Sequence, residues 1–362
     1  MIVKNEAHVI TRCLESLLPL IDSWVIVDTG SSDGTQDVIR EYMASKGIPG
    51  QLYERPWINF AHNRNQALEL ARPFADYVLF MDADDILTYS PGYVRPAVFD
   101  KDAYYLHIHY SGTHYDRMTL VRTTLACKWI GVVHEVIVCD DATTFAYLDG
   151  VTMKILGGGG RSIDANKFLK DAQMLEEDLL KDPDNSRSEF YLAQSYRDAG
   201  MYDKAIEHYQ RRVSMGGWQE EVFWSLYQIA MLQEQLGFDP DTVIASYYKA
   251  FDYRPIRGEP LYRLASVHRK MNQPYQGFFV ANLGAHIRQP KDLIFVEAWI
   301  YEFGFLFEQT LCAYFAGMYQ EALNISIRLL ANPELPPEVR HAVENNLQAV
   351  LQGISGGSLA AS

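Results

Sequence analysis

The stretch "YVLFMDADDIL", residues 77–87, carries five mostly apolar residues straight into Asp82, Asp84 and Asp85. Like charges crowded at the end of an apolar run repel one another unless a cation sits among them. Two carboxylates one residue apart on a turning chain can converge on one hard ion. Mg2+ and Mn2+ take oxygen ligands and keep positions open for phosphate oxygens. An ion held there would neutralise a departing nucleoside diphosphate. The triplet alone is weak, because acidic turns are common and Asp often caps helices. It gains weight from Asp28, which closes a second apolar run, "WVIVD" (24–28). A His-Glu pair, His134 and Glu135, lies later in "WIGVVHEVIV" (129–138). If that segment is an extended strand, alternation sends the two side chains to opposite faces; a loop relaxes this.

These residues need elements to position them. "DGTQDVIREYMASKG" (33–47) has apolar positions near helical spacing and a glycine stop, and "FAHNRNQALELARPF" (60–74) is a second helix closed by Pro73. Strand, helix, strand, helix order predicts a parallel sheet covered by helices, with ligands beyond the carboxyl ends of the strands. On that reading Asp28 and Asp82 face one crevice. "AYYLHIHY" (103–110), "RMTLVRT" (117–123) and 129–138 read as further strands. His107, His109 and His114 are read as lining an acceptor-side surface. "LGGGGRS" (156–162) is a hinge between domains, or a loop from Gly157–Gly160 and Arg161 that folds over the diphosphate.

From about residue 165 the pattern is helical only. "AGMYDKAI" (199–206) nearly recurs as "AGMYQEAL" (316–323). Ala193, Tyr196, Gly200, Ala205 and Tyr209 sit at tetratricopeptide spacing. Weaker copies span roughly 222–255 and 260–290, the second with Ala265, Gly277 and Ala281 as its small positions. Small residues let paired helices approach, and aromatics fill between them.

The 362 residues suggest two domains. A formal charge of -14 argues against a general polyanion binder. A local basic set (Arg187, Arg197, Arg211, Arg212) is read as a solvated helix face. No apolar run has the length of a membrane span, and no signal-peptide core is expected. Cys13, Cys127, Cys139 and Cys312 are scattered without a C-x-x-C pair, so neither a zinc site nor a disulfide is expected, and a reducing, cytoplasmic setting fits.

"MIVKNEAHVITRCLESL", "VIVDTGSSDGT", "FAHNRNQAL" and "VLFMDADDIL" resemble, in that order, family 2 glycosyltransferases of the GT-A fold. They are similar in particular to bacterial and phage members with a C-terminal tetratricopeptide domain, over essentially the whole chain. "WIGVVHEVI" resembles a later His-Glu motif of that group, and the first strand departs from it by being cut to "MIV". The expected fold class is therefore an α/β GT-A domain, Rossmann-like with a mainly parallel sheet, over 1–160. An all-α tetratricopeptide-like solenoid follows over 161–352, and 353–362 is expected to be a disordered tail.

The resemblance implies that Asn5, Glu6 and Asp28 line the base and ribose pocket, and that Arg64 reaches sugar or diphosphate. Asp82 would touch ribose and metal, Asp84 would be the principal ligand of Mn2+ or Mg2+, and His134 would complete the metal site. Asp85 is read as a cap. Ordinary readings stand beside these: Asp28 as a helix cap, Glu6 as an exposed helix residue, Arg64 as a surface arginine. An inverting reaction needs a base, with Glu135 ahead of Asp116, Asp140 and Asp141; His134 as the base with Glu135 orienting it stays open. The activity implied by the resemblance is metal-dependent and inverting, moving a hexose from a nucleotide sugar, foremost a UDP-sugar. The acceptor would be a saccharide, a peptide or a modified nucleobase held partly by the repeats, which could also form a homodimer. The alternative is a tetratricopeptide binding module with a degenerate transferase domain.

Overall fold

The computed structural model describes residues 1–110, 113–160 and 164–359, in two compact units that divide between Met201 and Tyr202. The first unit opens with β1 (Ile2–Val3), α1 (Ile10–Leu17), β2 (Trp24–Asp28), α2 (Thr35–Ser45) and β3 (Gly50–Glu54). The three strands pair in parallel in the order β1-β2-β3, with Ile2 opposite Val27 and Trp24 opposite Gly50. The helices are the crossovers that parallel neighbours require. Ile10, Leu14, Ile39 and Met43 from the helices close on Val3 and Ile26, so periodicity along α1 and α2 becomes one buried layer.

Then come α3 (Phe60–Ala71), a single 3-10 turn (Arg72–Phe74), β4 (Tyr77–Leu79), β5 (Asp85–Tyr89), β6 (Ala103–Tyr110), β7 (Thr113–Arg122), β8 (Cys127–Ile130), β9 (Val136–Cys139) and β10 (Phe145–Ile155). The second sheet is ordered β4-β7-β6-β10-β5; β10 runs parallel to β6, and the other pairings are antiparallel. The mainly parallel sheet expected of this region therefore holds only for β1 to β3. From β4 to β10 no helix separates the strands among the described residues, and neighbours joined by short connections pair antiparallel. Leu87, Leu106, Ile108, Leu120 and Met153 fill one side of this sheet together with Leu17 of α1. Ala61 and Leu68 of α3 close on Phe80, Val121 and Trp129.

The single strand expected over 129–138 is instead a hairpin. Gly131 (φ 96°) and His134 (φ 52°) turn the chain between β8 and β9. This register places Cys127 opposite Cys139, and the two form a disulfide. The expectation of unpaired cysteines is corrected here, and the reducing setting inferred from them loses its support. Only Cys13 and Cys312 are free thiols, both buried. Thiol labelling of the unfolded, unreduced protein should modify those two and spare Cys127 and Cys139 until a reductant is added; four labels without reductant would refute the pairing.

The first unit ends with α4 (Lys167–Lys181) and α5 (Ser186–Asp198). The compact unit thus runs past the boundary expected at 160. Within it, Arg187 of α5 donates to the His134 carbonyl at 2.9 Å, and Ser188 donates to Asp178 of α4 at 2.7 Å. The helix pair expected over 187–213 is split between the two units.

The second unit is all helix: α6 (Tyr202–Met215), α7 (Gln219–Gln235), α8 (Pro240–Tyr253), α9 (Glu259–Lys270), α10 (Pro274–Gly284), a π turn (Ile300–Gly304), α11 (Phe305–Phe315), α12 (Tyr319–Leu330) and α13 (Pro337–Leu359). Each α-helix packs on the next, as helical repeats of the tetratricopeptide kind do. At the second copy of the repeated octapeptide, Gly317 takes φ 73° and Met318 N–H returns to the Ala313 carbonyl at 2.9 Å, a glycine stop that lets α12 fold back. Gly277 shows why small positions matter: a Cβ there would stand 2.8 Å from the Ala265 carbonyl and 2.8 Å from Cys312 Sγ. Arg212 is wholly buried and paired with Glu221, so it belongs to no solvated face. The tail expected from 353 is helical through Leu359. Among the described residues, no helix is long and apolar enough to cross a membrane.

Candidate donor and transfer site

The turn after β2 is knitted to the segment after β1. Asn5, at φ 58°, receives the Ser32 N–H on its side-chain oxygen at 2.8 Å and donates its own N–H to Ser31 Oγ at 2.9 Å. Glu6 N–H reaches Thr35 Oγ1 at 2.8 Å, and Ala7 N–H reaches Asp33 at 3.1 Å. Asp28 Oδ1 accepts from the Gly30 and Ser31 amides at 2.9 Å each and from Gln36 at 3.0 Å. Half of Asp28 thus does what a turn cap does, while its Oδ2 is buried without a hydrogen-bond partner. Such an atom is costly unless something binds it. Asn5 holds the turn, and Asp28 keeps one acceptor in reserve.

Asp82 follows β4 and the buried Phe80 and Met81. Arg64 of α3 donates to Asp82 Oδ1 at 2.5 Å and, with its Nε, to Glu135. The three side chains are 12%, 30% and 10% exposed respectively. The planar fork bridges two carboxylates, which a lysine could not do. Arg64 also lies over the Trp129 ring, 5.0 Å from its centre. Its neighbour Asn65 bonds the Trp129 backbone twice, at 2.9 and 2.8 Å, in the manner of an adjoining strand. Asn65 thereby docks the hairpin that brings Glu135 to Arg64. The block "HNRNQ" carries this residue beside Arg64, but an asparagine on a helix gives no local sign of a partner 64 residues away.

Arg117 of β7 was not anticipated. Its guanidinium lies 3.7 Å from Asp82 and 3.9 Å from Asp85. Burial would raise the Asp82 pKa, but Arg64 and Arg117 outweigh it and hold the group at about 2. Asp85 is not an exposed cap: it opens β5 and is 3% exposed. Burial, then the neighbouring Asp82 charge, pushes its carboxyl up to about 7 against the pull of Arg117.

Asp84 points elsewhere. Its Oδ2 accepts the Gly159 N–H at 3.2 Å, and Glu6 Oε1 accepts the Gly160 N–H at 3.2 Å. A Cβ placed on Gly159 would stand 2.8 Å from Asp84 Oδ2 and 3.0 Å from Glu6 Oε2, so the two carboxylates converge on one point. Glu6 Oε2 is buried without a hydrogen-bond partner. Burial raises the Glu6 pKa to about 7, with the Asp84 charge adding to the shift and Gly160 opposing it.

His134 is not brought to the aspartates as a ligand. Its ring stacks on Tyr191 of α5 at 4.3 Å, and among the described residues no three His, Cys, Asp or Glu side chains are grouped to hold a metal ion. The chain reverses at His134, which takes a left-handed φ of 52°. Asp116 is engaged with His107 at 2.7 Å and with the Tyr147 hydroxyl at 2.7 Å. Asp141 accepts from the Ala126 amide at 2.9 Å. Both are held by partners away from Arg64, whereas Glu135 is held by Arg64. Arg161 and the His114 side chain lie outside the described residues.

The raised carboxyls set a pH dependence. Glu6 and Asp85 hold protons in the fold up to about 7 that the unfolded chain, near 4.5 and 3.8, has already released. Their contribution is complete below those unfolded values and is lost as pH rises through about 7. Asp82 acts oppositely, losing its contribution only as pH falls from 3.8 toward about 2. With metal chelated, the melting temperature should fall from pH 5 to pH 8, and Asp85→Asn should flatten part of that slope. An unchanged slope in the variant would sink the assignment.

Residues 1–129 match the family model described as Glycosyl transferase family 2, so the region that holds Asn5 to Asp85 is a family 2 glycosyltransferase domain. Over 227 residues the chain is 22% identical to the SPbeta prophage-derived glycosyltransferase SunS of Bacillus subtilis, covering 59% of this chain and 52% of the relative. Over 88 residues it is 36% identical to a TPR repeat-containing protein of Synechococcus elongatus, covering 24% of this chain and 20% of that one. The chain thus spans about half or less of the curated relatives it matches. A tetratricopeptide repeat protein from Parabacteroides merdae covers 53% of this chain and 72% of its own, at 15% identity and a TM-score of 0.40.

Proposed function

We propose that the protein transfers a hexose from a nucleotide sugar, foremost a UDP-sugar, to an acceptor, with inversion at the anomeric carbon and with Mn2+ or Mg2+ as cofactor. The observation that carries this is the convergence of Asp84 and Glu6 on one point, in a domain where Asp28 also keeps a buried acceptor without a hydrogen-bond partner. The residues fit a divalent ion in part. Asp84 is the carboxylate that would hold it, with Glu6 adjacent. Asp82, whose oxygens already face Arg64 and Arg117, is charge-matched without it. When bound, such an ion supplies charge neutralisation for the departing diphosphate.

The chain's own residues supply the rest. Asp28 Oδ2 accepts a donor N–H or hydroxyl, discriminating by hydrogen bonding. Glu135 is the base that removes the acceptor proton as the new glycosidic bond forms. Arg64 ties that base to Asp82, so the donor turn and the base are oriented by one rigid fork. The helical repeats would hold an extended acceptor, saccharide or peptide, and a homodimer through them remains part of the proposal. The strongly negative charge disfavours nucleic acid.

Incubation with UDP-glucose, UDP-galactose, UDP-N-acetylglucosamine and GDP-mannose, with Mn2+ or with chelator, tests the reading. Release of UDP from one donor, only with metal, is the expected result. Equal release with the metal chelated would refute the cofactor, and binding of neither UDP nor GDP would refute the donor site.

A further inference from the structure

We propose that the segment 157–160 is a gate shut on Glu6 and Asp84 while the donor site is empty, and that Arg12 is the positioning residue that sets its closure. The proposal rests on the donor-site reading above. Each residue of the segment is gripped by that site. Arg12 Nη2 donates to the Gly157 carbonyl at 2.8 Å and to the Asp84 carbonyl at 3.1 Å, pinning the segment to the aspartate turn. His8 Nε2 meets the Gly158 carbonyl at 2.6 Å. The Gly159 and Gly160 amides take Asp84 Oδ2 and Glu6 Oε1 at 3.2 Å each.

Glycine is required at 159 and 160 for space. Gly157 and Gly158 have left-handed φ values of 67° and 88°, but Gly159 and Gly160 are not among the positive-φ glycines. An alanine at 159 suits the backbone and fails only because its Cβ would press on Asp84 and Glu6. At 160 a Cβ would stand 2.7 Å from the Asn5 carbonyl and 2.9 Å from that of Lys4. A flexible linker has no need of such close approach; a backbone laid directly on two carboxylates does. An entering cation on Asp84 competes with the Gly159 amide for Oδ2, so closure and metal–nucleotide binding compete. The apparent affinity is the intrinsic one reduced by the fraction of molecules that are open.

The test is the affinity of the full chain for UDP with Mn2+, by calorimetry, in wild type, Gly159→Ala and Arg12→Ala. Both variants weaken the closed state, Arg12→Ala with the added loss of one bond to the Asp84 carbonyl, so both should bind about 3- to 10-fold more tightly, the effect of losing one or two hydrogen bonds of closure. Arg12→Lys, which keeps a cation but not the two-carbonyl reach, should fall between. Amide exchange at Gly159 and Gly160 without ligand should quicken in the same order. A residue that merely supports the fold would weaken binding together with the melting temperature. Unchanged or weaker binding in both alanine variants overturns the gate and leaves the donor site standing if wild type binds. Binding by the variants alone supports the gate. Binding by none of the proteins refutes the donor-site reading, and the gate falls with it.

Discussion

Replacing Arg64 with alanine is expected to cost the fold about 3–5 kcal/mol, the usual penalty for removing one partner of a buried ion pair, and to abolish the proposed transfer. Arg64 is shared by Asp82 and Glu135, and removal strands both. Arg117, 3.7 Å from Asp82, is too distant to replace a direct hydrogen bond. The Asp82 carboxyl, held at about 2 chiefly against burial by Arg64, would climb toward its ordinary range. The Trp129 ring would lose its cation, and the hairpin that carries Glu135 would be left with the Asn65 bonds as its polar tie to α3. Arg64→Lys should recover only part of the stability, since an ammonium cannot span two carboxylates in the fork geometry. The decisive measurement is urea unfolding of Arg64→Ala, Glu135→Gln and the double variant. The double variant should be more stable than the sum of the singles predicts, because it no longer buries the unpaired Glu135 charge. Strict additivity would show that Arg64 and Glu135 are not coupled.

Asp84→Ala is expected to lower metal-dependent turnover of the donor by on the order of 10³-fold while scarcely touching stability. The size follows from a metal's several kcal/mol of charge stabilisation at about tenfold in rate per 1.4 kcal/mol. The stability side follows from geometry. Asp84 is half-buried and accepts one long amide hydrogen bond, from Gly159 at 3.2 Å. Asp82→Ala should behave differently, losing stability as well as activity because it takes from Arg64 one of its two carboxylate partners. Donor hydrolysis and thermal unfolding of the two variants, with and without Mn2+, separate the roles. Turnover by Asp84→Ala equal to wild type would remove Asp84 from the metal site. A stability loss in Asp84→Ala as large as in Asp82→Ala would show that the two carboxylates are not divided in function.

Much of this was legible before any coordinates. The β-branched run at 24–28 and the helix at 60–71 announce themselves because their periodicity is local. The repeated "AGMY" octapeptides announce a helical solenoid for the same reason. Asp82, Asp84 and Arg64 stand out because their chemistry has few uses at the mouth of an apolar run. The three acids of "DADD" look alike on paper, yet one is ion-paired, one is half-exposed beside a glycine loop and one is buried. Which is which depends on Arg64, Arg117 and Gly159, residues with no local link to them.

The sequence by itself determined the strand at 24–28, the helices that begin at 33 and 60, the acidic turn and the helical repeats, since each depends on neighbours within a few residues. Only the tertiary structure decided that Arg64 meets Glu135, 71 residues away, and that Cys127 faces Cys139 across a hairpin. It alone turned His134 onto Tyr191, and it alone laid Gly159 over Asp84 from 75 residues away. Such pairings are chosen by strand register and by the burial of charge, which act between segments that share no local pattern.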